Sequence, residues 1–392
     1  MKAFLTCFLP IAAASSPEWE ARYGKSEGCG LEPPYVPTGP NDALSVTFEV
    51  DGLQRTFLLH LPLNYDINRP TPLVVSFHGW SMSAQSNLEW MGFTSNMQQE
   101  NYIVAYPEGK RDCLGQQNCW SSWNAGGAAF NGPDGPGAEG WTCHQSTSNC
   151  QACADSCQPL GVCNSQNQRN CNWATCIDDI SFVNQLLDKL EAQVCIDRSR
   201  IFASGESMGG LMAYQVAADI AHRFAAAAPT VGQPLDGFGA AASNPNEQIS
   251  ILDLHARNDN VVPPGGGQSN DGWFYSGVDA MMDIWGEYNS CSGGSEDWDN
   301  PVGSGPGNTN LACVEPASNC GQTGTAVISC AMNGGHFAQI RNFWGTLAYY
   351  FFMTHPKTEA WFEANKHKLQ WRKAAAPAVW NTTRANHGFL VL

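Results

Sequence analysis

Apolar and polar residues change their spacing along this chain in a way that predicts alternating strands and helices. Residues 44–50 and 53–61 alternate apolar and polar side chains, and Asp51–Gly52 between them is a two-residue hairpin signal. Continuous apolar runs typical of buried strands follow at Leu73–Phe77, Ile103–Tyr106, Ile201–Ser204, Ala225–Val231, Ile249–His255 and Ala326–Cys330. Helical spacing occupies residues 180–194, 211–218, 278–288 and 343–352. This alternation predicts an α/β fold whose mostly parallel sheet is flanked by helices.

One long segment, residues 112–176, interrupts this pattern with polar residues and cysteines. It contains Cys113, Cys119, Cys143, Cys150, Cys153, Cys157, Cys163, Cys171 and Cys176. A segment without a core pattern needs another source of stability, so we predict an insertion held by disulfides. The Cys150–x–x–Cys153 spacing could also suit a zinc or redox pair, although the export signal described next favours disulfides.

The two ends of the chain differ from its centre. Residues 1–16 have a positive start, a short apolar stretch and small residues near a cleavage point, which predicts a signal peptide; a buried first helix is the alternative. We then expect residues 17–355 to form one large α/β domain that includes the 112–176 insertion, and residues 356–392 to form a tail with a glycosylation sequon at Asn381. The chain has 16 cysteines, so removing Cys7 with the signal leaves an odd number and predicts one free thiol.

The overall charge excludes some partners and the cysteine content indicates a compartment. The formal net charge is −16, which disfavours nucleic acid and anionic membrane surfaces. No apolar run after the N-terminus is long enough to span a bilayer. Disulfides persist in oxidising compartments, so we predict a secreted, extracellular protein.

The clearest chemical signal is Gly205–Glu206–Ser207–Met208–Gly209, which lies between a predicted strand and a predicted helix. This G-x-S-x-G sequence in that context predicts a nucleophile elbow, in which glycines permit a sharp turn and the serine hydroxyl projects above the sheet. A glycine-rich turn with an incidental serine is the alternative. The context favours Ser207 as a catalytic nucleophile.

A serine nucleophile needs a base and an acid that orients the base. Asp259 follows the predicted strand 249–255, and His336 follows the last predicted strand. Their order after Ser207 is that of the α/β-hydrolases, so we predict a Ser207–His336–Asp259 triad. Asp253 falls inside its strand and is expected to be structural. We expect other histidines, among them His60, His78, His144, His222 and His255, to lie outside the triad.

Two further predictions concern carboxylates and backbone donors. Asp178 and Asp179 precede a predicted helix, where capping and dipole pairing explain them better than acid–base catalysis. Phe77–His78–Gly79–Trp80 follows a predicted strand, and its turn would direct the Trp80 N–H toward the site. We therefore expect the Trp80 and Met208 amides to form an oxyanion hole.

These motifs together resemble the exported feruloyl esterase and polyhydroxybutyrate depolymerase family of α/β-hydrolases. The resemblance spans roughly residues 51–352 and rests on the segments Arg55–Pro62, Pro72–Gly79, Trp123–Gly127, Asp178–Phe182, Cys195–Asp197, Gly205–Gly210, Asp259–Pro263 and Gly334–His336. It implies an α/β-hydrolase fold, and it implies that Trp123 and Asn124 contact substrate.

The resulting expectation is a secreted serine esterase that needs no metal and no cofactor. By resemblance, its substrates are feruloyl or acetyl esters linked to polysaccharide. A polyhydroxybutyrate or other polyester depolymerase is the alternative within the family. A serine peptidase of the same fold and a non-catalytic binding protein are alternatives of other classes.

Overall fold

The computed structural model of the 392-residue chain describes residues 15–114, 118–126, 154–160, 174–236, 238, 248–270, 273–306, 309–321, 324–336 and 340–363. Several predictions lie outside these residues: nearly all of the signal peptide, the middle of the insertion with Cys150 and Cys153, and the sequon at Asn381. None of the described helices is long and apolar enough to cross a membrane. The proposed domain limits stay predictions.

The predicted hairpin at residues 44–61 is confirmed. Strand β1 (Leu44–Val50) pairs antiparallel with β2 (Leu53–His60), with Val50 opposite Leu53. Asp51 and Gly52 both have positive φ, 50° and 80°, as a type I′ turn requires. The turn follows the strand twist, so local sequence alone sets the register here.

A ten-stranded sheet forms the centre of the molecule, in the order β1-β2-β4-β3-β7-β8-β9-β14-β13-β12. The six strands from β4 to β14 in this order run parallel and the outer strands antiparallel, which confirms the predicted mostly parallel α/β sheet. The remaining strands are β3 (Thr71–Phe77), β4 (Ile103–Pro107), β5 (Arg111–Leu114), β6 (Asn118–Ser121), β7 (Ile196–Glu206), β8 (Ala226–Thr230), β9 (Ser250–Ala256), β10 (Gly267–Gln268), β11 (Phe274–Tyr275), β12 (Glu296–Asp297), β13 (Ala312–Glu315) and β14 (Val327–Met332).

The chain reverses its direction of travel across the sheet between β3 and β7. It passes from β3 to β4 on one side and then returns to place β7 on the other side of β3. Open parallel sheets bind ligands outside the carboxyl ends of their strands at such a point. The loops after Phe77 and after Glu206 therefore meet where a site is expected.

Helices cover both faces of the sheet. They are α1 (Pro17–Tyr23), α2 (Ala84–Trp90), α3 (Phe93–Glu100), α4 (Asp179–Gln193), α5 (Met208–Asp219), α6 (Val278–Tyr288) and α7 (Trp344–Thr354). Successive side chains of β3 point to opposite faces, so Val75 packs in the core with α4, α5 and α6, whereas Val74 packs in the core with α2, α3 and α7. The site thus lies at one edge of a three-layer scaffold.

Ten cysteines fall within the described residues, and all ten form disulfides. The pairs are Cys29–Cys195, Cys113–Cys119, Cys157–Cys176, Cys291–Cys320 and Cys313–Cys330. Two of them lie in the predicted insertion, and one of these closes the hairpin of β5 and β6. The prediction of disulfides is confirmed for these cysteines.

The first part of the predicted tail packs against the N-terminal helix. Trp361 and Phe362 are buried with Tyr23 of α1. The Lys357 ammonium lies 3.7 Å from the Trp361 ring centroid and donates to the Ala221 carbonyl oxygen. Aromatic packing and a cation–π contact therefore hold the two ends of the described chain together.

Candidate active site

Ser207 occupies a strained turn between β7 and α5. Its φ of 53° is uncommon for a residue with a side chain. The flanking positions leave no room for side chains: a β-carbon on Gly205 would lie 2.3 Å from the Gly209 carbonyl oxygen, and one on Gly209 would lie 2.1 Å from that of Phe77. The sequence predicted that β7 would end at Ser204 and that the helix would start near residue 211. The strand instead continues to Glu206 and the helix begins at Met208, because the turn is confined to Ser207.

Three loops bring Ser207, His336 and Asp259 into one hydrogen-bonded row. His336 Nε2 lies 2.8 Å from Ser207 Oγ, and His336 Nδ1 lies 2.8 Å from Asp259 Oδ2. The other oxygen, Asp259 Oδ1, accepts the N–H groups of Val261 and Val262, both at 2.9 Å. A carboxylate can accept only from a protonated Nδ1, so Nε2 is left to accept the serine proton. This geometry suits base activation of a serine nucleophile.

Asp253 lies inside the sheet, as predicted. It belongs to β9 and is fully buried, and its Oδ2 accepts from Tyr214 Oη at 2.9 Å and from Gln233 Nε2 at 2.5 Å. Those bonds hold the carboxylate within the core. Asp259, three residues beyond the end of β9, is the carboxylate that reaches His336.

The loop after β3 lies directly against Ser207. A β-carbon built on Gly79 would lie 3.5 Å from Ser207 Cβ, and Trp80 follows at once in the chain. Met208 is the first residue of α5, so its N–H has no partner within the helix. Both predicted oxyanion donors therefore belong to segments adjoining Ser207.

His78 is a structural residue, as predicted. The Gly109 N–H donates to its Nε2 at 2.8 Å, so the ring proton sits on Nδ1 and is donated to the Gly79 carbonyl oxygen at 2.7 Å. Burial lowers the pKa of His78 to about 4, which keeps the ring neutral. The neutral ring fixes the loop that approaches Ser207.

The curated relatives of the chain include several feruloyl esterases. The sequence is 34% identical over 102 residues to "Probable feruloyl esterase C" of Aspergillus niger, which covers 26% of this chain and 36% of the relative. It is 25% identical over 289 residues to "Feruloyl esterase C" of Emericella nidulans, covering 74% of this chain and 78% of the relative. Over these stretches the chain is similar in sequence to feruloyl esterases.

Two other comparisons concern protein-family models and solved structures. No protein-family model matches the chain. A solved acetyl xylan esterase from Aspergillus awamori superposes with a TM-score of 0.46 at 13% identity, over 80% of this chain and 99% of that one. The alignment with the Aspergillus niger relative spans only about a third of that protein's length. The sheet described above has the α/β-hydrolase fold.

The substrate contacts that the family resemblance implied do not fit the positions of Trp123 and Asn124. The Trp123 side chain is fully buried, donates from Nε1 to the His78 carbonyl oxygen at 2.8 Å and packs edge-on against Phe77. Asn124 is 4% exposed, and its N–H donates to Asp179 Oδ2 at 2.8 Å. The segment therefore supports the loop beside Ser207 from within the core, where substrate cannot reach.

The paired carboxylates before α4 have different roles. Asp178 caps the helix by accepting the Ser181 N–H at 2.8 Å, as predicted. Asp179 begins the helix but makes a fully buried ion pair with Arg55, whose Nη2 lies 2.6 Å from its Oδ1. Sequence reasoning missed this pair, although an arginine at an inward-facing position of an alternating strand signals a buried partner.

An aromatic pair adjoins the predicted oxyanion loop. The Trp80 and Trp120 rings lie 5.3 Å apart, both partly exposed. The Ser81 N–H donates to the Ser121 carbonyl oxygen at 2.9 Å, which ties the hairpin of β5 and β6 to this loop. Trp120 lies in the cysteine-rich insertion, whose sequence contains no pattern that would place it near Ser207. Within the described residues, no group of His, Cys, Asp and Glu is arranged to hold a metal ion.

Proposed function

We propose that the protein is a serine esterase that hydrolyses carboxylic esters with Ser207 as nucleophile. The observation that carries the proposal is the row of two 2.8 Å contacts from Ser207 through His336 to Asp259, at the point where the strand order reverses. The sequence similarity to curated feruloyl esterases supports the same chemistry.

In this mechanism Ser207 Oγ attacks the ester carbonyl carbon while His336 Nε2 takes the serine proton. Asp259 holds the imidazole in the required tautomer and stabilises the imidazolium. The carbonyl oxygen becomes negative and accepts the N–H groups of Trp80 and Met208. The intermediate collapses, His336 returns the proton to the departing alcohol, and the acyl group stays on Ser207. Water activated by His336 then releases the acid, so the cycle needs neither metal nor cofactor.

For the substrate, we propose feruloyl or acetyl esters attached to polysaccharide. The support is the printed names of the relatives, which are feruloyl esterases and, over 21% of this chain, a "Bifunctional acetylxylan esterase/xylanase XynS20E" of Neocallimastix patriciarum. The partly exposed Trp80 and Trp120 rings, tilted by 38° to each other, supply apolar aromatic faces at the predicted oxyanion loop, which suits an aromatic acyl group. The net charge of −16 disfavours polyanionic polymers.

We also propose that the enzyme works outside the cell. Disulfides accumulate in oxidising compartments, and all ten described cysteines are paired. Sequencing the N-terminus of protein recovered from the culture medium tests this together with the predicted signal peptide. A mature N-terminus near residue 17 is expected, and retention of the whole protein inside the cell would contradict the proposal.

The decisive experiment replaces the nucleophile and a neighbouring serine in parallel. Ser207→Ala should lower kcat for methyl ferulate by about 10⁴–10⁶ while the protein stays folded. The matched control is Ser204→Ala on the same strand, where the buried hydroxyl donates to the Ala228 carbonyl oxygen at 2.9 Å. The control should lose about 1 kcal/mol of stability but retain turnover. A Ser207→Ala enzyme with more than about a tenth of normal turnover contradicts the mechanism.

A substrate panel then separates the remaining alternatives. Methyl ferulate and acetylated xylan represent the proposed class, amorphous polyhydroxybutyrate the polyester alternative, and a feruloyl amide the peptidase alternative. We expect turnover of the first two and little of the others. Preferential turnover of the polyester or the amide would overturn the proposed substrate class, and no turnover of any would favour a binding protein.

A further inference from the structure

A buried histidine outside the triad, His255, is linked to the triad through one residue, Val262. His255 is 2% exposed, and its Nε2 donates to the Val262 carbonyl oxygen at 3.0 Å. The N–H of the same Val262 donates to Asp259 Oδ1 at 2.9 Å, and Asp259 Oδ2 holds His336. His255 therefore restrains the segment that orients the acid of the triad.

The other ring nitrogen of His255 faces a buried carboxylate. Nδ1 lies 3.5 Å from Asp253 Oδ1, an oxygen that accepts no hydrogen bond from any other group within the part of the chain that the structure describes. The Gln233 amide nitrogen also lies 3.5 Å from Nδ1, but its 2.5 Å bond is to Asp253 Oδ2. A lone pair on Nδ1 would be repelled by the carboxylate, whereas a proton there makes an ion pair.

The charges of the cluster favour that proton. Asp253 and Asp259 are both buried, and His255 lies between them, with Nδ1 3.5 Å from Asp253 and Nε2 4.0 Å from Asp259 Oδ2. Tyr214 and Gln233 also face Asp253, but both are neutral. Among the described residues, His255 is the only side chain paired with Asp253 that can carry a positive charge, and a buried carboxylate without a cation is costly. Although burial lowers the pKa of His255, the hydrogen bond and charge of Asp253 raise it above its usual value.

We propose that His255 is a positioning residue for the triad: as a buried imidazolium paired with Asp253, it holds Val262 and Asp259 in place and cancels the Asp253 charge that His336 would otherwise experience. The inference rests on the proposed function, because His336 matters as the base of that reaction. The Asp253 and His255 charges cancel, so His336 experiences the single negative charge of Asp259. Without the imidazolium it would experience two, and its imidazolium form would be stabilised.

The pH profile of kcat/KM measures this charge through its acid limb, the low-pH side on which activity rises with pH. His255→Gln retains a neutral donor for Val262 but leaves Asp253 uncompensated, so the acid limb should move to higher pH by about one pH unit. In the double variant His255→Gln/Asp253→Asn both charges are gone, and the limb should return to its original pH. If His255 is neutral in the native protein, the single variant leaves the limb unchanged and the double variant moves it to lower pH, which overturns the proposal.

A matched control is available in β2. His60 is also fully buried with Nε2 2.9 Å from a carbonyl oxygen, that of Pro40, but burial lowers its pKa and no ion pair joins it to the triad. His60→Gln should cost stability and leave the acid limb unchanged. A limb that moves equally in both variants would assign the effect to general loosening of the fold and contradict the proposal.

Nitrogen NMR of isotope-labelled histidine gives a readout that does not depend on esterase activity. One ring with both nitrogens protonated should persist to higher pH than an ordinary histidine and disappear in His255→Gln. If that variant does not fold, Asp253→Asn serves instead, because loss of its partner should convert the same ring to the neutral form. Absence of such a ring overturns the inference about His255, even if Ser207→Ala confirms the esterase. If Ser207→Ala instead retains turnover, the proposed function fails but the NMR result for His255 still stands.

Discussion

Glu206, the residue before the proposed nucleophile Ser207, should make the stability of this protein fall as the pH rises. Its side chain is 7% exposed at the end of β7, and its Oε1 has no hydrogen-bond partner among the described residues. Burial raises its pKa from 4.5 to about 7, and a hydrogen bond from Trp90 offsets only part of that effect. We expect the carboxyl to be protonated in the native protein at mildly acid pH and forced to ionise above neutrality.

The sign and size of the effect follow from linkage. Between pH 4.5 and about 7 the native protein retains a proton that the unfolded chain has lost, so stability decreases as the pH rises through this interval. The difference between the two pKa values corresponds to about 3 kcal/mol at full effect. That is a large fraction of the about 5–15 kcal/mol that stabilises a typical domain.

Chemical denaturation of the native protein and Glu206→Gln at two pH values isolates this contribution from other titrating groups. At about pH 5 the two proteins should have similar free energies of unfolding, and at about pH 8 the variant should be more stable by about 2–3 kcal/mol. The exposed Glu49→Gln on β1 is the matched control and should change little at either pH. A Glu206→Gln effect of the same size at both pH values would refute the reasoning.

Two further predictions concern stability. Asp179→Asn removes the charged partner that lies 2.6 Å from the buried Arg55 guanidinium, so it should lower the free energy of unfolding in denaturant by about 3–5 kcal/mol. The neighbouring control Asp178→Asn keeps a side chain that can cap the helix and should cost less than about 1 kcal/mol; similar costs for both variants would contradict the ion-pair interpretation. The double variant Cys29→Ala/Cys195→Ala removes the disulfide that joins residues 166 positions apart and should lower the free energy of unfolding by about 2–5 kcal/mol, without changing kcat in a folded sample. An unchanged Tm would contradict a stabilising role for this disulfide.

Local sequence determined those parts of the molecule that depend on neighbouring residues. The turn at Asp51–Gly52 needs only two residues that tolerate positive φ, so the hairpin and its register followed from the pattern. The turn at Ser207 needs residues without β-carbons two positions on either side, and Gly205 and Gly209 supply them. The alternation of strands and helices was enough to predict a parallel sheet, since parallel strands require crossover connections.

The order of residues along the chain was also enough to predict the members of the triad, but not their contact. Asp259 and His336 each follow a strand of that sheet, and carboxyl ends of parallel strands share one edge. Their contact over 77 residues of chain is a consequence of strand order, which the tertiary structure supplied. The limits of β7 and α5 were missed by a few residues because the conformation of a single residue, Ser207, sets them.

Tertiary structure alone decided which polar and aromatic side chains face the core and which face the site. Trp123 and Trp120 are the same type of residue and lie three positions apart. Trp123 is nevertheless fully buried against the His78 loop, whereas Trp120 is partly exposed next to Trp80. Arg55 and Asp179 are separated by 124 residues, and no periodic pattern links them. The physical reason is the same in each case: burial and electrostatic pairing depend on distances between chain segments that packing sets, whereas turn and strand formation depend on steric limits within a few residues.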